Sequence, residues 1–314
     1  MSERIVCRIL TGPTASGKSE AAIELAVRHG WAVACMDSMQ IYRRMDIGTA
    51  KPSKEDREKA DHFLLDIREP DESFSVSEYR DMAEQLVTEQ MEQHGRGVLF
   101  VGGTGLYMQA LMHPMSMGSV PADEEIRCRL KAEAEEPGGK ERLHKELNKL
   151  DPATAARLPV NDVRRVIRAI EVTLLTGIPF SGQPDRTEES PFIWKTVSTV
   201  LPREILYERI NLRVGRMIEN GLKQEVAALL ESGVPPEAQS MAGLGYKEMI
   251  PCVKGEITIE EAAERIRLGT RHYAKRQMTF LRREKDIAYV DMTEAGAIDR
   301  IDSLLTGMNT WEAE

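Results

Sequence analysis

The chain has 314 residues, 41% of them hydrophobic and 30% charged, with a formal net charge of −9, which excludes disordered and fibrous classes and is enough for one large core or two domains. No run approaches twenty uninterrupted apolar residues, which excludes a membrane-spanning helix, and the opening Met1-Ser2-Glu3-Arg4 leads straight into an apolar stretch broken by Arg8, unlike a secretory leader. Cys7, Cys35, Cys128 and Cys252 are scattered without a C-x-x-C pair, so they read as small buried hydrophobes in a reducing compartment, with the cytoplasm the expected location.

The first apolar run, 5–10, predicts a strand, and residues 12–19 follow it directly as Gly12-Pro13-Thr14-Ala15-Ser16-Gly17-Lys18-Ser19, a complete G-x-x-x-x-G-K-[ST] loop. Gly12 and Gly17 allow the backbone to curl so that consecutive amides, including those of Thr14, Ala15 and Ser16, point at an anion. Lys18 adds a mobile positive charge, and the Ser19 hydroxyl can ligate Mg²⁺. Helical spacing from Glu20 to His29 places the positive end of a helix dipole at the same point. Strand, loop and helix in this order predict a di- or triphosphate site.

A second strand, 32–36, ends in Asp37, where ligands bind in such sheets. Asp37 can equally cap a turn with Ser38. Strands are also predicted at 63–66 and 97–101, and the latter ends in Gly102-Gly103-Thr104-Gly105, without the metal-holding acid that a hydrolase or kinase usually carries there. Between 116 and 192 the strand signal disappears, and helical patterns occupy 123–136, 140–150, 152–158 and 161–176, closing with a polar run at 182–191. Asn148-Lys149-Leu150-Asp151 matches the guanine-reading N-K-x-D motif, but Leu143, Leu147 and Leu150 put it on a helix rather than after a buried strand. A strand at 196–201, helices at 203–231 and 258–285 and a strand at 287–291 complete the chain. The order predicts an α/β fold, a P-loop-type parallel sheet covered by helices and built from 1–115 plus 193–314, with a mostly helical insertion domain at 116–192.

Charge is unevenly spread. Residues 264–285 carry Arg265, Arg267, Arg271, Lys275, Arg276, Arg282, Arg283 and Lys285 against Glu264 and Glu284, and Arg164, Arg165 and Arg168 follow Asn161-Asp162. Such clusters fit a polyanionic partner or, more plainly, a solvated helix face. Helical spacing aligns Arg267, Arg271 and Lys275 as one cationic stripe, with Arg265 and Arg276 pointing elsewhere.

Several longer motifs carry a resemblance. Asp37-Ser38-Met39-Gln40-Ile41-Tyr42, Met45-Asp46-Ile47-Gly48-Thr49-Ala50-Lys51-Pro52, Gly102-Gly103-Thr104-Gly105-Leu106-Tyr107, Asn161-Asp162, Arg168-Ala169-Ile170-Glu171, Gly245-Tyr246-Lys247-Glu248 and Ala274-Lys275-Arg276-Gln277 occur in the order seen in tRNA dimethylallyltransferases, which the chain resembles from residue 11 to about 283. Phe280 stands where the family usually has Trp, a change of packing, and the zinc-finger extension of eukaryotic members has no counterpart, so the resemblance is to the bacterial type. It implies transfer of a dimethylallyl group from dimethylallyl diphosphate to N6 of the tRNA adenosine just 3′ of the anticodon, with Mg²⁺ as cofactor. It also implies Asp37, Thr104 and Arg213 as catalytic residues and the 12–19 loop on the diphosphate. Contacts to the tRNA anticodon stem-loop are expected from Asp37, Ser38, Met39, Gln40, Thr104, Arg127, Asn161, Asp162, Arg164, Arg165, Arg271, Lys275 and Arg276, with no obligate protein partner. The competing expectation is a P-loop kinase acting on a nucleoside or other small molecule.

Overall fold

The computed structural model describes residues 5–113, 120–183 and 192–307. The chain divides into two compact units, Met1–Met112 with Ser190–Glu314, and His113–Glu189. Most of the polar run expected at 182–191 lies outside the described residues.

In the first unit the chain runs β1 (Ile5–Thr11), α1 (Lys18–His29), β2 (Ala32–Cys35), α2 (Lys54–Lys59), β3 (His62–Phe63), α3 (Val76–His94), β4 (Val98–Val101) and α4 (Gly105–Met112). The second unit contributes α5 (Glu124–Glu135), α6 (Gly139–Leu150), α7 (Pro152–Arg157) and α8 (Val163–Thr176). The first unit then resumes with β5 (Phe192–Val200), α9 (Arg203–Glu219), α10 (Leu222–Glu231), α11 (Tyr246–Val253), α12 (Ile259–Leu281), β6 (Ile287–Asp291) and α13 (Ala297–Thr306).

All six strands pair in parallel, in the order β3-β2-β4-β1-β5-β6. A parallel sheet needs apolar cover on both faces. One face carries Cys7 and Ile9 of β1 under α3, α4 and the helices that follow β5; the other carries Leu10 and Leu99 under α1 and α13. β5 begins earlier than its apolar pattern suggested because it pairs with the whole of β1, from Ile5 opposite Phe192 to Thr11 opposite Ser198. β3 is shorter than the expected 63–66, since Leu64 and Asp66 turn to φ 59° and 55° and leave the extended region. The long helix expected over 203–231 is broken at Gly221, whose φ of 96° no continuing helix permits.

Local signals set the helix starts. Ser75 with Glu78, and Thr258 with Glu261, form reciprocal capping boxes for α3 and α12. In the second unit, α5 to α8 pack around Leu130, Leu143, Leu147, Val166 and Ile170, a core of its own. The guanine-reading motif rejected from sequence is helical through Leu150. Asp151, almost fully buried, caps α7 at the Thr154 amide and accepts from the Ser181 amide and hydroxyl at 2.6 and 2.7 Å. Those donors hold its carboxyl down at about 2 against the opposing effect of burial.

Candidate active site

The carboxyl ends of β1, β2 and β4 meet at one edge of the sheet. β1 leads into the 12–19 loop, β2 into Asp37, and β4 into Gly102-Gly103-Thr104. These central strands can approach so closely because Gly102 is bare: a Cβ there would collide with the Met36 backbone.

The loop curls through positive φ at Gly12 (138°), Ala15 (65°) and Gly17 (94°). Ala15 is a non-glycine residue in the left-handed region, a strain characteristic of ligand-binding turns. The Ala15 and Gly17 amides find no acceptor among the described residues, and the first amides of α1 have none within the helix. Two residues of the loop depart from their expected part. The Thr14 amide donates to Gln277 Oε1 at 3.0 Å, and the Ser16 hydroxyl is buried against Thr199 Oγ1 at 2.6 Å while its amide closes a turn on Pro13. Both brace the loop from behind.

Lys18 Nζ donates to the Pro13 carbonyl at 2.7 Å, and Arg213 Nη2 to the Thr49 carbonyl at 3.1 Å. Burial, then repulsion from Arg213, lowers the Lys18 ammonium to about 7 against the pull of Asp37. Burial likewise lowers the Arg213 guanidinium. Two neighbouring cations are therefore held by neutral carbonyls, which leaves their charge available to an anion.

Asp37 Oδ1 accepts the Met39 amide at 2.8 Å, so the capping role does occur, and it occurs inside the site. The Ser38 amide donates to Thr104 Oγ1 at 3.0 Å. Burial pushes the Tyr273 hydroxyl, beside Thr104, above the usual phenol range, so it stays protonated. Gln40 lines the narrow chamber, and its Nε2 donates to the carbonyls of Thr49 and Ala50 at 3.1 and 3.3 Å, so its amide protons are used within the protein. Met39 packs beneath Gly243 and the core.

Two cavities meet at the loop. A wide basin of about 1310 Å³ is lined by Ala15 to Glu20, Pro52 and the α9 residues Arg209, Arg213 and Arg216. A narrow chamber of about 80 Å³ is lined by Lys18, Ser19, Asp37, Gln40, Tyr273 and Gln277, with Ala22, Ile23, Val33, Cys35 and Leu65 as apolar wall. Lys18, Ser19, Pro52 and Arg213 border both.

The basic residues separate into bound and free. Arg271, expected to grip RNA, donates through Nη2 to Asn211 Oδ1 at 2.8 Å and lies over the Tyr207 ring. Arg267 pairs with Glu264 at 3.2 Å. The predicted stripe is thus partly internal to the protein, whereas Arg265, Lys275 and Arg276 are exposed, the last over the Tyr273 ring. In the second unit Arg127 and Arg168 clamp the fully buried Glu171 at 2.9 and 2.8 Å, so Arg127 also has an internal partner. Asn161, Arg164 and Arg165 are exposed, with Arg165 3.5 Å from Asp162. Gln277 was visible only as one letter of a motif and Tyr273 not at all; each acts through a distant backbone or hydroxyl contact that spacing does not reveal.

Fold and site together define an α/β protein with a cationic anion site and a carboxylate at one sheet edge. Residues 40–284 match the IPP transferase family. The chain is 42% identical to the tRNA dimethylallyltransferase of Geobacter metallireducens, covering 95% of this chain and 96% of that one. It is similar to the crystal structure of the full-length tRNA isopentenylpyrophosphate transferase from Bacillus halodurans, with 38% identity, a TM-score of 0.67 and coverage of 95% and 98%. A eukaryotic dimethylallyltransferase acting on tRNA matches at 27% identity and a TM-score of 0.73, covering 91% of this chain and 74% of that one. The chain belongs to the IPP transferase family. Among the described residues no helix is long and apolar enough to cross a membrane.

Proposed function

We propose that the protein transfers a dimethylallyl group from dimethylallyl diphosphate to N6 of the tRNA adenosine immediately 3′ of the anticodon, in the cytoplasm. The observation that carries this reading is the pair of carbonyl-held cations, Lys18 and Arg213, beside Asp37 at the junction of the two cavities. Diphosphate lies on the 12–19 loop between these cations, and its prenyl group enters the narrow chamber. The bond from the prenyl carbon to the diphosphate oxygen breaks with its electron pair leaving on diphosphate, where Lys18 and Arg213 meet the growing charge. N6 bonds to that carbon and its proton passes to Asp37. Thr104 accepts from the Ser38 amide and donates to Ser38 Oγ over a long 3.4 Å, a bond that a diphosphate oxygen would replace.

The donor set suits Mg²⁺. Ser19 borders both cavities, where its hydroxyl would hold a small ion that otherwise keeps water and phosphate ligands. When bound it supplies charge neutralisation on diphosphate. A base within a folded anticodon loop must be flipped out to reach Asp37, and exposed Lys275, Arg276, Arg164 and Arg165 are suited to the RNA backbone. Gly102 to Gly105 offers no acid for phosphoryl transfer, which favours diphosphate as a leaving group over a kinase reaction. The test follows prenyl label from dimethylallyl diphosphate into tRNA. Incorporation at the adenosine with stoichiometric pyrophosphate supports the reading; ATP-dependent phosphorylation without prenyl transfer overturns it.

A further inference from the structure

The loop that anchors Arg213 is held from outside the site. Residues 46–50 belong to no helix or strand, yet the amides of Asp46, Ile47 and Gly48 all donate to the Glu225 carboxylate of α10, at 2.9, 2.8 and 3.0 Å. The Tyr246 hydroxyl of α11 adds a fourth donor at 2.6 Å. A carboxylate has about four lone-pair sites, so Glu225 is saturated. Three successive backbone amides converging on one carboxylate form a nest whose anion is built into the chain. Gly48 is required there: a Cβ would stand 2.5 Å from the Tyr246 ring.

One residue beyond the nest, the Thr49 carbonyl receives Arg213 Nη2 and Gln40 Nε2, both at 3.1 Å. Arg213 otherwise faces repulsion from Lys18 in a buried setting, and an unanchored guanidinium would relax toward the solvent of the wide basin. Glu225 itself lines neither cavity. Resting on the diphosphate reading above, we infer that Glu225 is a positioning residue: through the 46–48 amides it fixes the Thr49 carbonyl, and through that carbonyl it holds Arg213 in place for the diphosphate.

The test measures inorganic pyrophosphate affinity by calorimetry in a double-mutant cycle. Glu225→Gln keeps shape and one acceptor oxygen but turns N–H groups against the nest. It should weaken pyrophosphate binding about tenfold in the otherwise unchanged protein, equivalent to losing one good hydrogen bond, and leave the Arg213→Ala variant unaffected. Tyr246→Phe removes only the fourth donor; its smaller loss, about threefold, should also vanish without Arg213, and it decides the matter if Glu225→Gln does not fold. Losses of equal size in both backgrounds, or no loss in either, would overturn the positioning role. An unchanged protein that fails to bind pyrophosphate removes the diphosphate site and this role with it. Pyrophosphate coupling without prenyl transfer overturns the proposed reaction and leaves the role of Glu225 standing.

Discussion

At the scale of the residue, Asp37 does two things with one carboxylate, bonding the Met39 amide and facing the narrow chamber. Asn at this position keeps an acceptor for that amide and cannot take a proton, so Asp37→Asn should lower prenyl transfer by about 10²–10⁴ while tRNA affinity stays within about twofold. Single-turnover rates and filter binding provide the two readings. Lys18, lowered to about 7, gives a second prediction. As pH rises above that point the free site loses its proton, and pyrophosphate affinity should fall by up to about tenfold per pH unit, with proton uptake seen as buffer-dependent binding heat. Arg213→Ala removes the repelling cation and should move the midpoint upward. The sign for stability follows from the same shift: the folded state binds this proton less tightly than the unfolded chain. The penalty is therefore full below about pH 7 and fades toward the ordinary lysine value near 10.4. Lys18→Met should raise the melting temperature more at about pH 6.5 than at about pH 9.5.

At the scale of the element, α12 separates a structural side from an RNA side. Lys275→Gln with Arg276→Gln should weaken tRNA binding and reduce its log–log salt slope by about 1.5, in proportion to two lost phosphate contacts. Arg271→Gln, which loses Asn211, should instead destabilise the fold by about 1–2 kcal/mol and leave the slope unchanged. Equal slopes in all three proteins would place the RNA elsewhere. This division was not legible in the sequence, where Arg271 and Lys275 are equivalent members of one stripe. What could be read was whatever depends on neighbours in the chain: the β1 strand, the curled loop, the helix that follows it, and the leucines that make 140–150 a helix. Asp37 was legible as two alternatives: the turn cap is present as the bond from the Met39 amide, and the reactive carboxylate is the role proposed above. The capture of the Thr14 amide by Gln277, 263 residues away, and of Arg127 by Glu171 depends on tertiary packing, which local periodicity does not encode. Glu225 was not legible for a related reason: three of its four donors are backbone amides, which carry no letter.

At the scale of the whole molecule, every residue bordering the two cavities lies in the first unit, while the second has its own buried cluster around Leu143, Leu147 and Ile170. Replacing the second unit by a short linker should leave pyrophosphate affinity within about threefold and lower use of tRNA by more than about 100-fold, because the phosphate contacts of Arg164 and Arg165 are then lost. Comparable losses of both would show that the unit also supports the anion site. The carbonyl anchoring of Lys18 and Arg213 has a consequence in time as well as in affinity. Among the described residues no carboxylate is ion-paired with either cation to compete for the spent anion once the prenyl group has gone, so expulsion of pyrophosphate becomes the slow hand of the cycle. A first turnover should then appear as a burst of about one modified adenosine per protein, followed by a slower steady rate, and preloading the protein with pyrophosphate should erase the burst.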